Sequence, residues 1–174
     1  MTDRFSPEFY LESLSDRGNV EFEESTDEVD RETFERVRER AATKAGTVVV
    51  GVTRKHGDVF LVTLEGGHGW KLPFDSVGVD QSWTDAATRC ITNLVGLETT
   101  ANGILRVRRK HHQCGSDSVT THDVLVHASI SDGESELGNP REPATAADWF
   151  DSPPTNLWDH ADAEADVRLA FNIT

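Results

Sequence analysis

Trp70-Lys71-Leu72-Pro73-Phe74-Asp75, then Ser82-Trp83-Thr84-Asp85, then Val95-Gly96-Leu97: this stretch decides the fold of the chain. The residue before a proline is pushed out of the helical region, so Trp70 to Pro73 reads as extended backbone entering a loop. Ser82 followed three positions later by Asp85 reads as a capping box, with Asp in place of the more usual Glu, and opens a helix through Val95. Gly96 can take the left-handed conformation that ends it. The apolar stripe of that helix is Ala87, Ile91 and Leu94, with Cys90 beside it.

Upstream, Thr47 to Thr53 is a β-branched run of buried-strand character and Asp58 to Leu64 is another. Arg54-Lys55-His56-Gly57 supplies the turn between them, so the pair reads as a hairpin. Glu65-Gly66-Gly67-His68-Gly69 is a loop. Downstream, strands are expected at about Gly103 to Lys110 and Val119 to Ile130, a turn at Ser131-Asp132-Gly133, and a short strand at Asp148-Trp149-Phe150. A last helix runs from Asp159 to Phe171 on Ala161, Ala165, Leu169 and Phe171. Strands and helices mixed around one sheet give an α/β or α+β sandwich.

Residues 1–45 differ from the rest: they are acidic and short of long apolar stretches. Phe34, Val37 and Ala41 recur at helical spacing there, with Arg and Glu on the other faces, which is an amphipathic helix with one apolar stripe. It is expected to dock on the main domain, residues 46–174; a solvated arm packed against a second subunit is the alternative. The length, 174 residues, fits one core plus such an extension.

The chain carries 31 acidic residues against 17 basic, a formal charge of −14. A surface of that sign repels nucleic acid. It suits a salty cytoplasm, where self-repulsion is screened and hydrated carboxylates keep the chain dispersed, so a halophilic, cytoplasmic protein is the expectation. Cys90 and Cys114 are the only thiols and make no CxxC, which argues against a disulfide framework or a zinc knuckle. Met1 to Pro7 lacks the apolar core of a signal peptide, and no apolar run is long enough to cross a bilayer.

From Thr43 to Phe171 the chain resembles the Nudix (MutT-like) family, best over Thr47–Leu64, Trp70–Leu97 and Trp149–His160. The family signature is Gly, five residues, Glu, seven residues, Arg-Glu, an apolar residue, any residue, Glu-Glu, any residue, Gly, apolar. Registered on Gly96-Leu97, it puts Asp75 at the first Gly, Gln81 at the first Glu, Arg89-Cys90 at Arg-Glu and Asn93-Leu94 at Glu-Glu. Arg89, Ile91, Gly96 and Leu97 match. The matches are framework and the departures are chemistry.

The resemblance implies a mixed sheet flanked by helices, and hydrolysis of a nucleoside diphosphate linked to a group X with magnesium or manganese. Hard dications need oxygen ligands, preferably charged. Cys90 and Leu94 offer none, and Gln81 and Asn93 offer at most neutral amide oxygens. Losing the metal's electrostatics removes several kcal/mol of transition-state stabilisation, on the order of a thousandfold in rate. Arg89, Gln81 and Asn93 are the degenerate catalytic positions, and no cofactor is expected.

The first expectation is therefore an impaired or inactive Nudix-type protein that binds a nucleotide-like small molecule or a protein partner, with neither nucleic acid nor membrane involved and a homodimer compatible with it. The alternative is an active hydrolase whose magnesium or manganese is held by Asp75, Asp80, Asp85 and Glu98. Trp70 is a candidate to stack on a base or to close the core. Arg106 and Arg108 share one strand face, where they could meet a phosphate or pair with surface acids. His111, His112, His122 and His127 lie on strands that could pair, and a cross-strand couple such as His112 with His122 could hold a transition metal.

Overall fold

The structure is a computed structural model that describes residues 19–66, 69–130 and 137–173. The Ser131-Asp132-Gly133 turn, Gly67 and His68 of the glycine loop, and the first part of the acidic extension lie outside the described residues. In chain order the elements are β1 (Glu21–Glu28), α1 (Arg31–Ala41), β2 (Lys44–Thr53), β3 (Val59–Leu64), β4 (Phe74–Gly78), α2 (Trp83–Val95), β5 (Thr100–Cys114), β6 (Asp117–Ser129), β7 (Ala144–Phe150) and α3 (Ala161–Phe171).

The strands form one mixed seven-stranded sheet in the order β1-β5-β6-β2-β3-β7, with β4 also on β2. Helices cover both faces, the α+β sandwich expected. On one face Val48, Val50, Val52, Phe60, Val62, Val107, Val124 and Val126 pack beneath α2 through Trp83, Ala87, Cys90, Ile91 and Leu94. On the other, Val59, Leu61 and Leu125 pack beneath α3 through Val167 and Ala170.

The two β-branched runs are strands, but they make only a rudimentary hairpin. A single residue pair, Thr53 with Val59, joins β2 to β3. Beyond it the strands part, β2 running parallel to β6 and β3 antiparallel to β7. The extended segment before Pro73 fills the fork: Lys71 exchanges both backbone hydrogen bonds with Val62 at 2.9 Å, and the Val50 N–H donates to the Pro73 carbonyl at 2.9 Å. A proline is tolerated there because the pairing asks it to accept and not to donate. The fork's entry needs Gly69, with φ at +110°, since a Cβ would sit 2.5 Å from the Asn156 carbonyl oxygen. The segment after Pro73 is a strand, not the loop expected, and continues alongside β2 as β4.

The α2 boundaries are as read from the sequence. The Asp85 N–H donates to the Ser82 hydroxyl at 3.0 Å and Gly96 ends the helix at φ 73°. β5 and β6 are longer than expected and joined through Gly115 and Ser116, so residues 111–118 belong to one hairpin.

The described part of the acidic extension, residues 19–45, is joined to the sheet. Helix α1 docks through Phe34, 2% exposed, with Arg31 and Arg38 over its ring. β1 was not expected from the sequence. It runs parallel to β5 with Glu21 beside Arg106 and Glu23 beside Arg108. Those two arginines also reach α3: Nη1 of Arg106 donates to Oδ1 of Asp166 at 2.8 Å, and Nη1 of Arg108 to Oδ2 at 2.9 Å. Asp166 is 4% exposed. The apolar stripe expected for the last helix is therefore corrected: Asp166, Val167 and Ala170 face the sheet, and Leu169 and Phe171 pack at the margin.

Removing one partner of a buried ion pair leaves an uncompensated charge, at a cost of about 3–5 kcal/mol, whereas an exposed pair contributes about 1 kcal/mol or less. Asp166→Ala is expected to lower the unfolding free energy by about 3–5 kcal/mol, and Glu21→Ala, on a half-exposed side chain, by less than about 1 kcal/mol. Urea titration of both variants in one buffer measures the difference.

Candidate functional site

The positions aligned with the metal ligands of the resembled family divide into two kinds. Cys90 and Leu94 are 2% and 8% exposed and belong to the core beneath α2. Burial, with the Asp75 charge adding to it, pushes the Cys90 thiol up to about 12. Asn93 and Arg89 point to solvent. Gln81 is committed to the loop, its Oε1 accepting the Gly78 N–H at 2.8 Å. A buried thiol, an isobutyl group and one exposed amide do not fit magnesium or manganese, hard dications that take oxygen ligands in octahedral geometry.

Asp75, Asp80, Asp85 and Glu98 are exposed and do not converge: no group of three or more His, Cys, Asp or Glu able to hold a metal occurs among the described residues. Asp75 instead accepts the Ser76 N–H at 2.8 Å. The His112–His122 couple does not form either. The register sets His112 opposite Val119 and His122 opposite Arg109. His112 bonds Thr121 Oγ1 at 3.0 Å, while His122 accepts from Arg109 Nε at 3.3 Å.

Concave surface that carries charged side chains lies instead on the α3 face of the sheet. A cleft of about 230 Å³ runs between β2, β5, β6 and the start of α3, with Val49, Leu72 and Phe74 on its apolar side and Lys71, Lys110 and Asp162 on its polar side. A second lobe of about 210 Å³ continues from it beneath α1; the two share Thr47, Lys110 and Asp123. Three of the four lysines in the chain, Lys44, Lys71 and Lys110, line this two-lobed cleft.

The cations of the first lobe differ in how they are compensated. Arg108 is locked to Asp166 and Glu23. Burial works against its charge, but the Asp166 hydrogen bond and field outweigh it and hold the guanidinium above its ordinary value. Lys110 is held likewise: burial opposes the charge, and Asp123 at 2.9 Å with Asp162 at 3.3 Å raises it. For Asp162, burial pushes up and the Arg108 and Lys110 charges, which prevail, pull down.

Lys71 is the exception. Its ammonium lies 4.2 Å from the Phe74 ring centroid and 4.6 Å from that of Trp158, with no carboxylate at ion-pair distance among the described residues. Burial lowers its pKa, and Asp166 and Asp123 offset this only in part. Two aromatic faces contribute about 0.5–1 kcal/mol each to a cation, more when it is desolvated. They leave its hydrogen-bond donors free for an anion.

The candidate ligand residues named from the sequence are thus dispersed. Arg106 is spent on Asp166 and Glu21. Arg108 lines the cleft while paired. Trp70 packs edge-on against Phe150 at 4.8 Å beside the α3-face core. Lys71, Lys110, Asp123, Asp162 and Asp166, which define the cleft, were not singled out as a site by the sequence reading. The signal that was available is the scarcity of lysine.

No protein-family model matches the chain, and no curated protein matches it. Solved structures do. It is similar to a NUDIX-family hydrolase from Clostridium perfringens (13% identity, 75% of this chain and 97% of that one, TM-score 0.57). It is also similar to the dihydroneopterin triphosphate pyrophosphohydrolase of E. coli (12% identity, 75% and 97%, TM-score 0.57). A UDP-X diphosphatase matches at 16% identity over 83% of this chain and 72% of its own, with TM-score 0.51. At these identities the likeness shows the fold: the chain has the architecture of Nudix hydrolases.

The burial of Cys90 has a direct chemical readout. With Cys114 half-exposed and Cys90 sealed in the core, a thiol reagent at pH 8 is expected to modify one cysteine in the folded protein and the second only after unfolding. Two thiols reacting at similar rates in native buffer would show that α2 does not bury position 90 as described.

Proposed function

We propose that this chain is a non-hydrolysing protein of Nudix architecture that binds a nucleotide-like ligand in the cleft on the α3 face. The observation that carries the reading is the inclusion of Cys90 and Leu94 in the core. At the two positions where a metal-binding helix presents carboxylates, this helix presents the packing that holds it to the sheet. No simple rotation of side chains supplies an anionic oxygen there.

The ligand side of the proposal is supported by the cleft. Its apolar wall and Lys71, whose ammonium has no carboxylate at ion-pair distance among the described residues, suit a molecule with a flat or apolar part and an anionic part. Two of the solved structures sharing this fold are named for such molecules, UDP-X and dihydroneopterin triphosphate. Keeping a half-buried charge that Asp166 and Asp123 offset only in part costs stability in the free protein, and sites kept at such a cost are characteristically functional.

Two measurements test the proposal. A panel of nucleoside diphosphate derivatives with magnesium or manganese is expected to give no turnover but a thermal shift; at a hundred times Kd the stabilisation is about 2.7 kcal/mol, roughly 5–10 °C for a chain of this size. Lys71→Met is expected to raise the unfolding free energy of the free protein by about 0.5–2 kcal/mol and to abolish the nucleotide-induced shift. Metal-dependent turnover above about one per second overturns the proposal.

The combined variant Gln81→Glu, Cys90→Glu, Asn93→Glu and Leu94→Glu places two carboxylates in the core. It is expected to lose about 4 kcal/mol or more of stability, read by urea denaturation. A folded quadruple variant that hydrolyses the panel would show that only the ligands are lacking.

A further inference from the structure

A lysine attacks carbon only as the neutral amine, and water keeps it charged, so withdrawal from water is the usual way a protein makes one reactive. Besides Lys71, the described cations without a carboxylate at ion-pair distance are Arg36, Arg40, Lys44, Lys55, Arg89 and Arg141. All of these are exposed, and solvent compensates them. Lys71 is partly buried, with the ring centroids of Phe74 and Trp158 at 4.2 and 4.6 Å from its ammonium.

The backbone fixes Lys71 in that setting. It exchanges both main-chain hydrogen bonds with Val62, and its neighbours Trp70 and Leu72 pack with the core under α3. Its side chain lines the first lobe together with Val49, Leu72 and Phe74. The charged or titratable groups lining that lobe with it are Arg108 and Lys110 of β5, Asp123 of β6, and His160, Asp162 and Asp166 at and after the start of α3. Arg108 and Lys110 occupy the carboxylates. The acids therefore reach Lys71 only as a field: burial lowers its pKa, and Asp166 and Asp123 offset this in part. At neutral pH more of it is free amine than of an ordinary lysine.

A cation seated on ring faces for structure is one ordinary account of these contacts. It explains the rings, but a structural contact has no use for open space beside the ammonium, and here a space of about 230 Å³ adjoins it. We infer that Lys71 is a nucleophile that forms an imine with an aldehyde borne on a flat apolar group, which Val49, Leu72 and Phe74 hold in the first lobe.

The ammonium releases one proton to solvent, and the nitrogen lone pair adds to the carbonyl carbon as the carbonyl π pair moves to oxygen. A proton passes from nitrogen to that oxygen, a second reaches it from solvent, and it departs as water while the nitrogen lone pair closes the C=N bond. One ammonium and one aldehyde thus give one iminium and one water, with no oxidant or reductant. The charge at the position is unchanged, so the rings that hold the ammonium also hold the iminium. The inference goes beyond the anion contact proposed above and does not need it, since the aldehyde is uncharged.

Benzaldehyde with cyanoborohydride, which reduces an imine to a stable secondary amine, is the probe, and peptide mass spectrometry of the full chain reads the rate at each lysine. The chain has only four, so Lys44 and Lys55, both exposed, serve as internal standards. At pH 7 Lys71 is expected to react at least about tenfold faster than either, and at pH 10, where ordinary lysines approach half deprotonation, the ratio is expected to fall to about one or below. Lys71→Arg keeps a cation at the position and cannot form an imine. It is expected to lose the fast modification and to leave the rates at Lys44 and Lys55 unchanged.

Equal rates at pH 7, a ratio that does not fall with pH, or fast modification that persists in Lys71→Arg each overturns the assignment. Selective modification of Lys71 without any nucleotide-induced stabilisation refutes the nucleotide reading and leaves the nucleophile standing. Nucleotide stabilisation with uniform modification does the reverse.

Discussion

One carboxylate shared between two guanidiniums organises this molecule. Asp166 of α3 takes a hydrogen bond from Arg106 on one oxygen and from Arg108 on the other, and all three side chains are buried. Two positive charges against one negative leave an excess that the interior cannot hold, because desolvating an unbalanced ion costs several kcal/mol. The excess is met from the far side by Glu21 and Glu23 of β1. A strand with a single apolar residue among its eight, Phe22, thereby gains a reason to pair with β5. The same clamp fixes the start of α3 over the sheet, so that Asp162 stands within reach of Lys110 and the first lobe of the cleft has its rim.

The fork between β2 and β3 is the second constraint, and it acts through the backbone. With one residue pair joining the strands, each strand has free donors and acceptors beyond the branch, and buried peptide groups must be paired. The extended Trp70–Pro73 segment supplies partners to both sides, Val62 through Lys71 and Val50 through Pro73. Lys71 is carried into the interior margin by that requirement. Its half-buried ammonium lies over two aromatic rings, burial lowers its pKa, and the cleft has a cation left to offer.

Elements with clear periodicity were legible before the structure. The β-branched runs expected at 47–53 and 58–64, the capped helix ending at Gly96 and the terminal helix all appear within a few residues of their expected bounds. What stayed hidden was hidden for stated physical reasons. β1 carries one apolar residue, Phe22, among acids and hydroxyls, and its Glu21 and Glu23 meet arginines, so a search for apolar alternation passes over it. Asp166 reads as solvent-facing by type, and only the register of β5 shows that its burial is compensated. The cleft joins residues 44, 71, 110, 123 and 162 from separate elements, a juxtaposition that no local window contains. The departure of residues 81, 90, 93 and 94 from the resembled signature, by contrast, was visible in the sequence; the structure adds that Cys90 and Leu94 belong to the core.

The distribution of charge follows from these two constraints. Self-repulsion among many surface carboxylates works against compactness, and salt relieves it, the Debye length shrinking to about 3 Å at 1 M. At that ionic strength long-range steering of an anion, favourable or not, is screened, whereas contacts made inside a lobe persist because they act over hydrogen-bond distances. A net-negative protein can therefore take an anionic ligand if its few lysines are gathered in one concave place and its other cations are neutralised locally. Arg106 and Arg108 are neutralised by the clamp, and Lys110 by Asp123. Of the cations lining the first lobe, Lys71 is the one without a carboxylate at ion-pair distance among the described residues.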